Sequence, residues 1–427
     1  KAAWQAGDED LTCEEVAAYF RTRTEPHVPF APARDAEHSV SAGQLEEADF
    51  ALQNKFKGQG SYGYFEVPDP IDWSFNPVGD REWPWQFNRH SAWGALGRAW
   101  LATGEDKYAD KWVALMRDWV VANPPGTPYS WRTIEAGIRA GGWLRVFFSF
   151  LDAPAFTGRD QVTMLNSLAE HAEFLMPAGH FHSGSNWGLI ESQGLLTAAL
   201  FLPEFADADD WRETAWARIQ SEIEAQVYAD GAQVELTPSY HSGVASMFLN
   251  ISRLVSEAEL DVPAPYIERV ERMFEFLMYV CKPDGTYPML GDSWPGGSRG
   301  HLRTGRDSFD RQDMAWLLTD GAEGKPPADI SHGFSNSKCP GLRSAWLDED
   351  ARWLLFDTAP WGGGHQQPDN LMVILYAFGT TLLPDSGSYL YYGPGRAEHA
   401  RTNSHSTLTV DNANQNHSAG HLEAWHS

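Results

Sequence analysis

From about residue 90 to 280, apolar residues recur at three- and four-residue intervals, and no other feature of the sequence restricts the fold as strongly. The pattern predicts helices over 107–121, 134–150, 162–176, 187–201, 211–227, 243–258 and 266–280, each with one apolar stripe to bury. Asn123-Pro124-Pro125-Gly126, Pro177-Ala178-Gly179 and Asp284-Gly285 interrupt the series, because proline and glycine end helices and open turns. One-sided helices joined by short breaks bury their stripes against each other as antiparallel pairs. A run of this length predicts an (α/α) barrel or toroid of helical hairpins rather than a small bundle.

The period changes after about Cys339. Short runs at 352–356, 371–378, 380–383 and 406–410 are rich in Val, Leu, Ile, Tyr and Thr and are punctuated by Gly379 and Ser386-Gly387, as in antiparallel strands. A helical half followed by a β half makes this an α+β multidomain chain. Its 427 residues exceed what one core organises. The expected division is a helical catalytic domain over 1–335 and an antiparallel β-sandwich over 336–427, with the Gly-, Pro- and Ser-rich stretch 285–340 as connection. The β part is short for a sandwich, so the sequence is either cut at Ser427 or carries a small domain.

With 58 acidic against 32 basic residues, the net charge of −26 excludes a general nucleic-acid binder, which needs a basic face to displace counterions. A local group of Arg and His inside an acidic shell still accommodates a polyanion. No apolar run is long enough for membrane insertion. Cys13, Cys281 and Cys339 are widely spaced and form neither a metal motif nor a disulfide framework. Trp73, Trp83, Trp85 and Trp93 crowd one stretch, and indoles suit either sugar stacking or core packing.

Three polar clusters stand at the entrances of predicted elements. The first runs from His182 to Asn186-Trp187 and continues to Glu191 and Gln193. The second contains Asp230, Gln233, Glu235, Pro238, Tyr240 and His241. The third is Gly362-Gly363-Gly364-His365-Gln366-Gln367-Pro368-Asp369, followed by Asp385 and His405. Each has a plain structural explanation: Asn186 is a good helix cap, Tyr240 suits a core, and the glycines suit a turn. Together they lie on loops entering adjacent hairpins, at one rim, where a second domain closes a cleft.

Several motifs resemble the heparinase II/III-type polysaccharide lyases. They are Asp72-Trp73 to Phe87-Asn88-Arg89-His90, Trp131-Arg132 to Glu135 and Arg139, Asn186-Trp187 with Glu191, and Asp230-Gly231 to Tyr240-His241. In the β half, Gly364-His365, Leu383-Pro384-Asp385-Ser386-Gly387 and His405 to Asp411 continue the likeness in family order. The resemblance implies a toroid joined to a β-sandwich, and β-elimination beside a uronic acid in an acidic polysaccharide. Heparan sulfate, chondroitin sulfate and hyaluronan are the expected substrates, with alginate as the alternative, and the periplasm or the exterior is the expected compartment.

By the same resemblance Asn186 neutralises the uronate carboxylate, Tyr240 protonates the leaving oxygen, and His365 is a base for the opposite ring face. Arg89, His90, Arg139, Trp187, Glu191, Gln193, Glu235 and His241 line the substrate, with Arg89 and Arg139 lowering the tyrosine pKa. Gln367, Asp385 and His405 would hold one structural divalent cation that the elimination itself does not need. Two departures accompany this. Trp187 stands where many members carry His after the neutraliser. Gln367 replaces a second His, which favours calcium or manganese over zinc. A glycoside hydrolase using Glu191 and Glu235, or a non-catalytic glycan binder, remains the rival.

Overall fold

Every helix expected from the periodicity forms: Asp106–Ala122, Thr133–Phe150, Gly158–Leu175, Asn186–Phe201, Ala208–Gln226, Pro238–Glu257 and Ala264–Val280. The computed structural model describes residues 2–33, 36–58, 62–389 and 395–426. They divide into two compact units, 1–221 with 257–260, and 222–256 with 261–427.

The first unit is helical, and it begins before the periodic region. Glu9–Thr22 buries only Cys13, Ala17 and Phe20, a narrow stripe of mostly small residues, and Asp8 caps it by accepting from Leu11 N at 3.0 Å. Ala42–Leu52 carries a capping box between Ser41 and Gln44. The unit's core is aromatic. Trp112 stacks on Phe150 at 4.3 Å, and Trp93 stacks on Trp143 at 5.0 Å. Trp73, Trp83 and Trp93 are buried, which leaves Trp85 as the half-exposed member of the crowded stretch. Thr133–Phe150 and Asn186–Phe201 touch backbone to backbone, since a Cβ on Gly194 would collide with the Gly137 carbonyl. Glycine at this crossing brings the helix N-termini that carry Glu135 and Asn186 into fixed register.

The second unit combines helices with a sheet. Gly341–Arg343, Trp353–Phe356, Val373–Ala377 and Thr380–Leu383 pair antiparallel in sequence order. Trp353 and Leu355 face inward and alternate with half-buried Leu354 and Phe356. Phe378 and Gly379 turn the last hairpin with positive φ, 54° and 72°, the geometry of a tight primed turn.

Two expectations are corrected here. The 406–410 run forms no strand: Leu408 and Val410 are 76% and 75% exposed, and only an isolated bridge joins Val410 to Ala413. Alternation without a buried face does not recruit a partner strand. The 285–340 connection is not simply a linker, for it contains the helices Arg299–Phe309 and Gln312–Leu318. The first of these buries only Leu302 and Gly305, too little apolar surface to register as a stripe. Among the described residues, no helix is long and apolar enough to cross a membrane.

Candidate active site

In the second unit Tyr240 lies in the first turn of Pro238–Glu257, where the fixed φ of Pro238 suits the first helical position. Its ring stacks face to face on His365, with centroids 3.5 Å apart and planes 15° off parallel. Trp294, 44% exposed, stands 5.9 Å from Tyr240. Of the glycines ahead of His365, Gly362 is required by contact, because a Cβ there would overlap the Val234 carbonyl. This close approach fixes the His365 loop against the segment that carries Glu235.

Asp292 orients the histidine. Its carboxylate has no accessible surface and lies 3.3 Å from His365 Nδ1, while its backbone N–H donates to the His365 carbonyl at 2.9 Å. Arg396 donates to the same carboxylate at 2.7 and 2.8 Å, and Gln367 Nε2 donates to it at 2.8 Å. Burial pushes this carboxyl up, but the hydrogen bonds from His365 and Arg396 outweigh it and hold the group below its ordinary value. An ionised Asp292 makes Nδ1 the protonated nitrogen and leaves Nε2 as a base. His365 Nε2 faces Glu235 Oε1 at 4.0 Å. Burial raises the Glu235 carboxyl, against the opposing charge of His365 and a hydrogen bond from Gln233. A stacked phenol and imidazole can thus supply an acid and a base from one place.

Beside this pair, ligand atoms of Asp369, Asp385 and His405 lie within 4.8 Å of one another, all buried. His405 Nδ1 is 2.5 Å from Asp385 Oδ1, and Asp385 Oδ2 accepts from Gly291 N at 3.2 Å. His405 Nε2 and Gln367 Oε1 are buried without a hydrogen-bond partner. Burial, with the charges of Asp357 and Asp385, pushes the Asp369 carboxyl well above its ordinary value. Unpaired lone pairs beside crowded carboxylates are costly by themselves and fit a hard cation. Asp369 stands with Asp385 and His405 in this cluster, although it was not among the expected ligands. Its signal was an acid two residues from Gln367.

In the first unit the cap of the 186–201 helix is Ser185, whose side chain accepts from Gly188 N. Asn186 is the first helical residue, so its side chain is not needed as the cap. Gln193, half-buried, follows seven residues later on the same helical face. Glu191 has no exposure and accepts from His182 N at 2.9 Å and His182 Nδ1 at 2.8 Å. Trp187, half-buried, meets His182 edge-on at 5.3 Å. Arg89 pairs with buried Glu135 at 2.9 Å.

Four residues expected to line the substrate are corrected by burial. Arg139 has no exposure: its Nε donates to His171 Nε2 at 2.8 Å, and it packs on Trp119 at 4.6 Å. His90 accepts from Trp143 Nε1 at 3.0 Å and stacks on Trp93. His241 accepts from Gln233 N and donates to the Met273 carbonyl. Glu191 is enclosed as described. With little or no accessible surface, these side chains brace the scaffold.

Residues 1–316 match the profile described as the heparinase II/III N-terminus, and 341–426 match the heparinase II/III-like C-terminal profile. The chain belongs to the heparinase II/III family. It is 34% identical to a heparin-sulfate lyase of Pedobacter heparinus, over 96% of this chain and 65% of that relative. It is 30% identical to a heparin-sulfate lyase of Bacteroides stercoris, over 100% of this chain and 68% of the relative. The chain therefore spans about two thirds of the length of these relatives. Among solved structures, a heparan sulfate lyase from Pedobacter heparinus aligns at 33% identity and TM-score 0.72, over 97% of this chain and 68% of that one. A heparinase III aligns at 24% identity and TM-score 0.87, over 97% and 69%. The (α/α) toroid with an antiparallel β-sandwich is the fold of this family, as expected from the helical hairpins and the later strands.

Proposed function

We propose that this heparinase II/III-family chain is a polysaccharide lyase acting on heparan-sulfate-type polymers by β-elimination. The stacking of Tyr240 on His365, with His365 oriented by buried Asp292, carries the reading. The names of the relatives supply the substrate class. The C5 proton of the uronate leaves to His365 Nε2 or, where C5–H and O4 lie on one ring face, to Tyr240. The electron pair forms the C4–C5 double bond, the C4–O4 bond breaks, and the Tyr240 hydroxyl protonates O4. Asn186 donates to the uronate carboxylate as its charge builds, a contribution of ~3 kcal/mol to the transition state. Gln193, on the face of Asn186, Trp187 and Arg89 complete the contacts to sugar.

Gln367, Asp369, Asp385 and His405 would hold one divalent cation, with calcium or manganese suited to three oxygen donors and one nitrogen. Bound there, the ion supplies neutralising charge and braces the His365 loop, and the elimination does not pass through it. We place the boundary between helical and β parts at 335/336 and the protein in the periplasm or outside the cell. Incubation with heparan sulfate should release product with the ultraviolet absorbance of a 4,5-unsaturated uronate, and Tyr240→Phe should abolish it while leaving polymer binding intact. New reducing ends without that absorbance would instead make the chain a hydrolase.

A further inference from the structure

The first unit holds a second charged group that the elimination does not use. The guanidinium of Arg132 lies 3.5 Å from the ring centroid of Trp85 and 5.0 Å from that of Trp187. Its Nε and one terminal nitrogen donate to both oxygens of Glu135 at 2.7 Å, a two-pronged pair. Arg89 donates to the same carboxylate at 3.2 and 2.9 Å. The Glu135 side chain has no accessible surface, whereas Arg132 and Arg89 keep 22% and 25% of theirs. Two guanidiniums therefore share one buried carboxylate, and among the described residues no other acid pairs with either.

One positive charge is left over, and it sits on the exposed side because the carboxylate lies inside. The second terminal nitrogen of each guanidinium takes no part in these bonds. Arg132 is pinned by its paired hydrogen bonds and by the indole beneath it, so it loses little freedom on meeting a ligand. A surplus cation has no structural purpose in satisfying Glu135, which one arginine would do. Within a chain of net charge −26, it is a local exception.

We propose that Arg132, with Arg89 beside it and the half-buried Trp187 as an apolar wall, forms a subsite for an oxyanion carried on a pyranose ring. Sulfate esters, sulfamates and uronate carboxylates share this chemistry, and a planar guanidinium edge recognises each of them. Only the choice of a glycan as ligand rests on the lyase reading. The two arginines are far apart in sequence, so no basic run announces the site.

The test is calorimetric titration in a Tyr240→Phe background, so that no cleavage disturbs binding. The probes are size-matched heparan-type oligosaccharides, one sulfated and one fully desulfated. Arg132→Gln leaves Glu135 paired with Arg89, and Trp85→Ala keeps the charge but removes the stack. Both folded variants, checked by circular dichroism and melting, should lose about 10- to 100-fold in affinity, as expected for charge-assisted hydrogen bonds. A loss confined to the sulfated probe assigns the subsite to sulfate, and an equal loss on both assigns it to the carboxylate. Unchanged affinity of both variants for both probes overturns the proposal. Arg132-dependent binding by a wild-type chain that forms no unsaturated product would leave the subsite standing and remove the lyase reading alone.

Discussion

Replacing Asp292 by Asn separates the charge of this residue from its shape. In the native site one oxygen accepts from Gln367 and Arg396, and the other faces His365 Nδ1 and a second Arg396 contact. An amide offers one acceptor and one donor, so one of these sides must meet a donor with a donor. If the amide nitrogen faces His365, the ring is driven to the tautomer with its proton on Nε2, and the base is lost. If it faces Gln367, that side chain has to flip so that its buried Oε1, rather than Nε2, meets the new amide. Each lost charge-assisted hydrogen bond costs about 1.5–3 kcal/mol, so stability should fall by about 3 kcal/mol. Loss of a correctly oriented base costs turnover about 10²- to 10⁴-fold. Continuous ultraviolet detection of product would give kcat and KM, and urea unfolding would give the stability change. The expected signature is a kcat collapse with KM little altered. A folded Asp292→Asn protein within twofold of wild-type kcat on all heparan-type substrates would refute the argument that Asp292 sets the His365 tautomer.

Three further outcomes are expected. Gly194→Ala places a methyl against the Gly137 carbonyl, so the two helices must separate, at a cost of about 1–3 kcal/mol; an unchanged urea midpoint would contradict the close crossing. His241 is buried and neutral, and desolvation lowers its pKa from 6.5 to about 4. The unfolded chain takes up this proton near pH 6.5 and the folded chain only near pH 4, so stability is complete above 6.5 and falls as pH drops through that window. At ~1.4 kcal/mol per pH unit this amounts to about 3 kcal/mol; His241→Phe should flatten the acid limb of the stability profile by about one proton, and an unaltered slope would count against the buried neutral ring. Dialysis against a chelator should lower the melting temperature, and calcium or manganese should restore it, since an ion at 100 times its Kd contributes about 2.7 kcal/mol; melting indifferent to both would deny a cation at Asp369, Asp385 and His405.

The sequence by itself determined the helical hairpins, because each of those helices must bury a continuous apolar stripe and the stripe is written at fixed spacing. It determined two inner strands of the sheet for the same reason, since 352–356 and 371–378 alternate residues for one buried face, whereas Gly341–Arg343 was not expected and Thr380–Leu383 has no buried face. The sites of Tyr240, His365 and the Gln367–Asp385–His405 group were also legible, through loop motifs whose order matched a family. Burial was not legible, since one Arg or His letter serves a core and a cleft alike. Only the tertiary structure decided that Arg139 and His90 stand among tryptophans, that His241 bridges two backbone groups, and that Asp292 holds His365. It likewise decided that Arg89 and Arg132 meet over Glu135. Contacts of this kind join residues far apart in the chain, and their energy depends on distance and desolvation, which no local pattern encodes. The 406–410 run shows the converse: its alternation is real, but no partner strand lies there to pair with it.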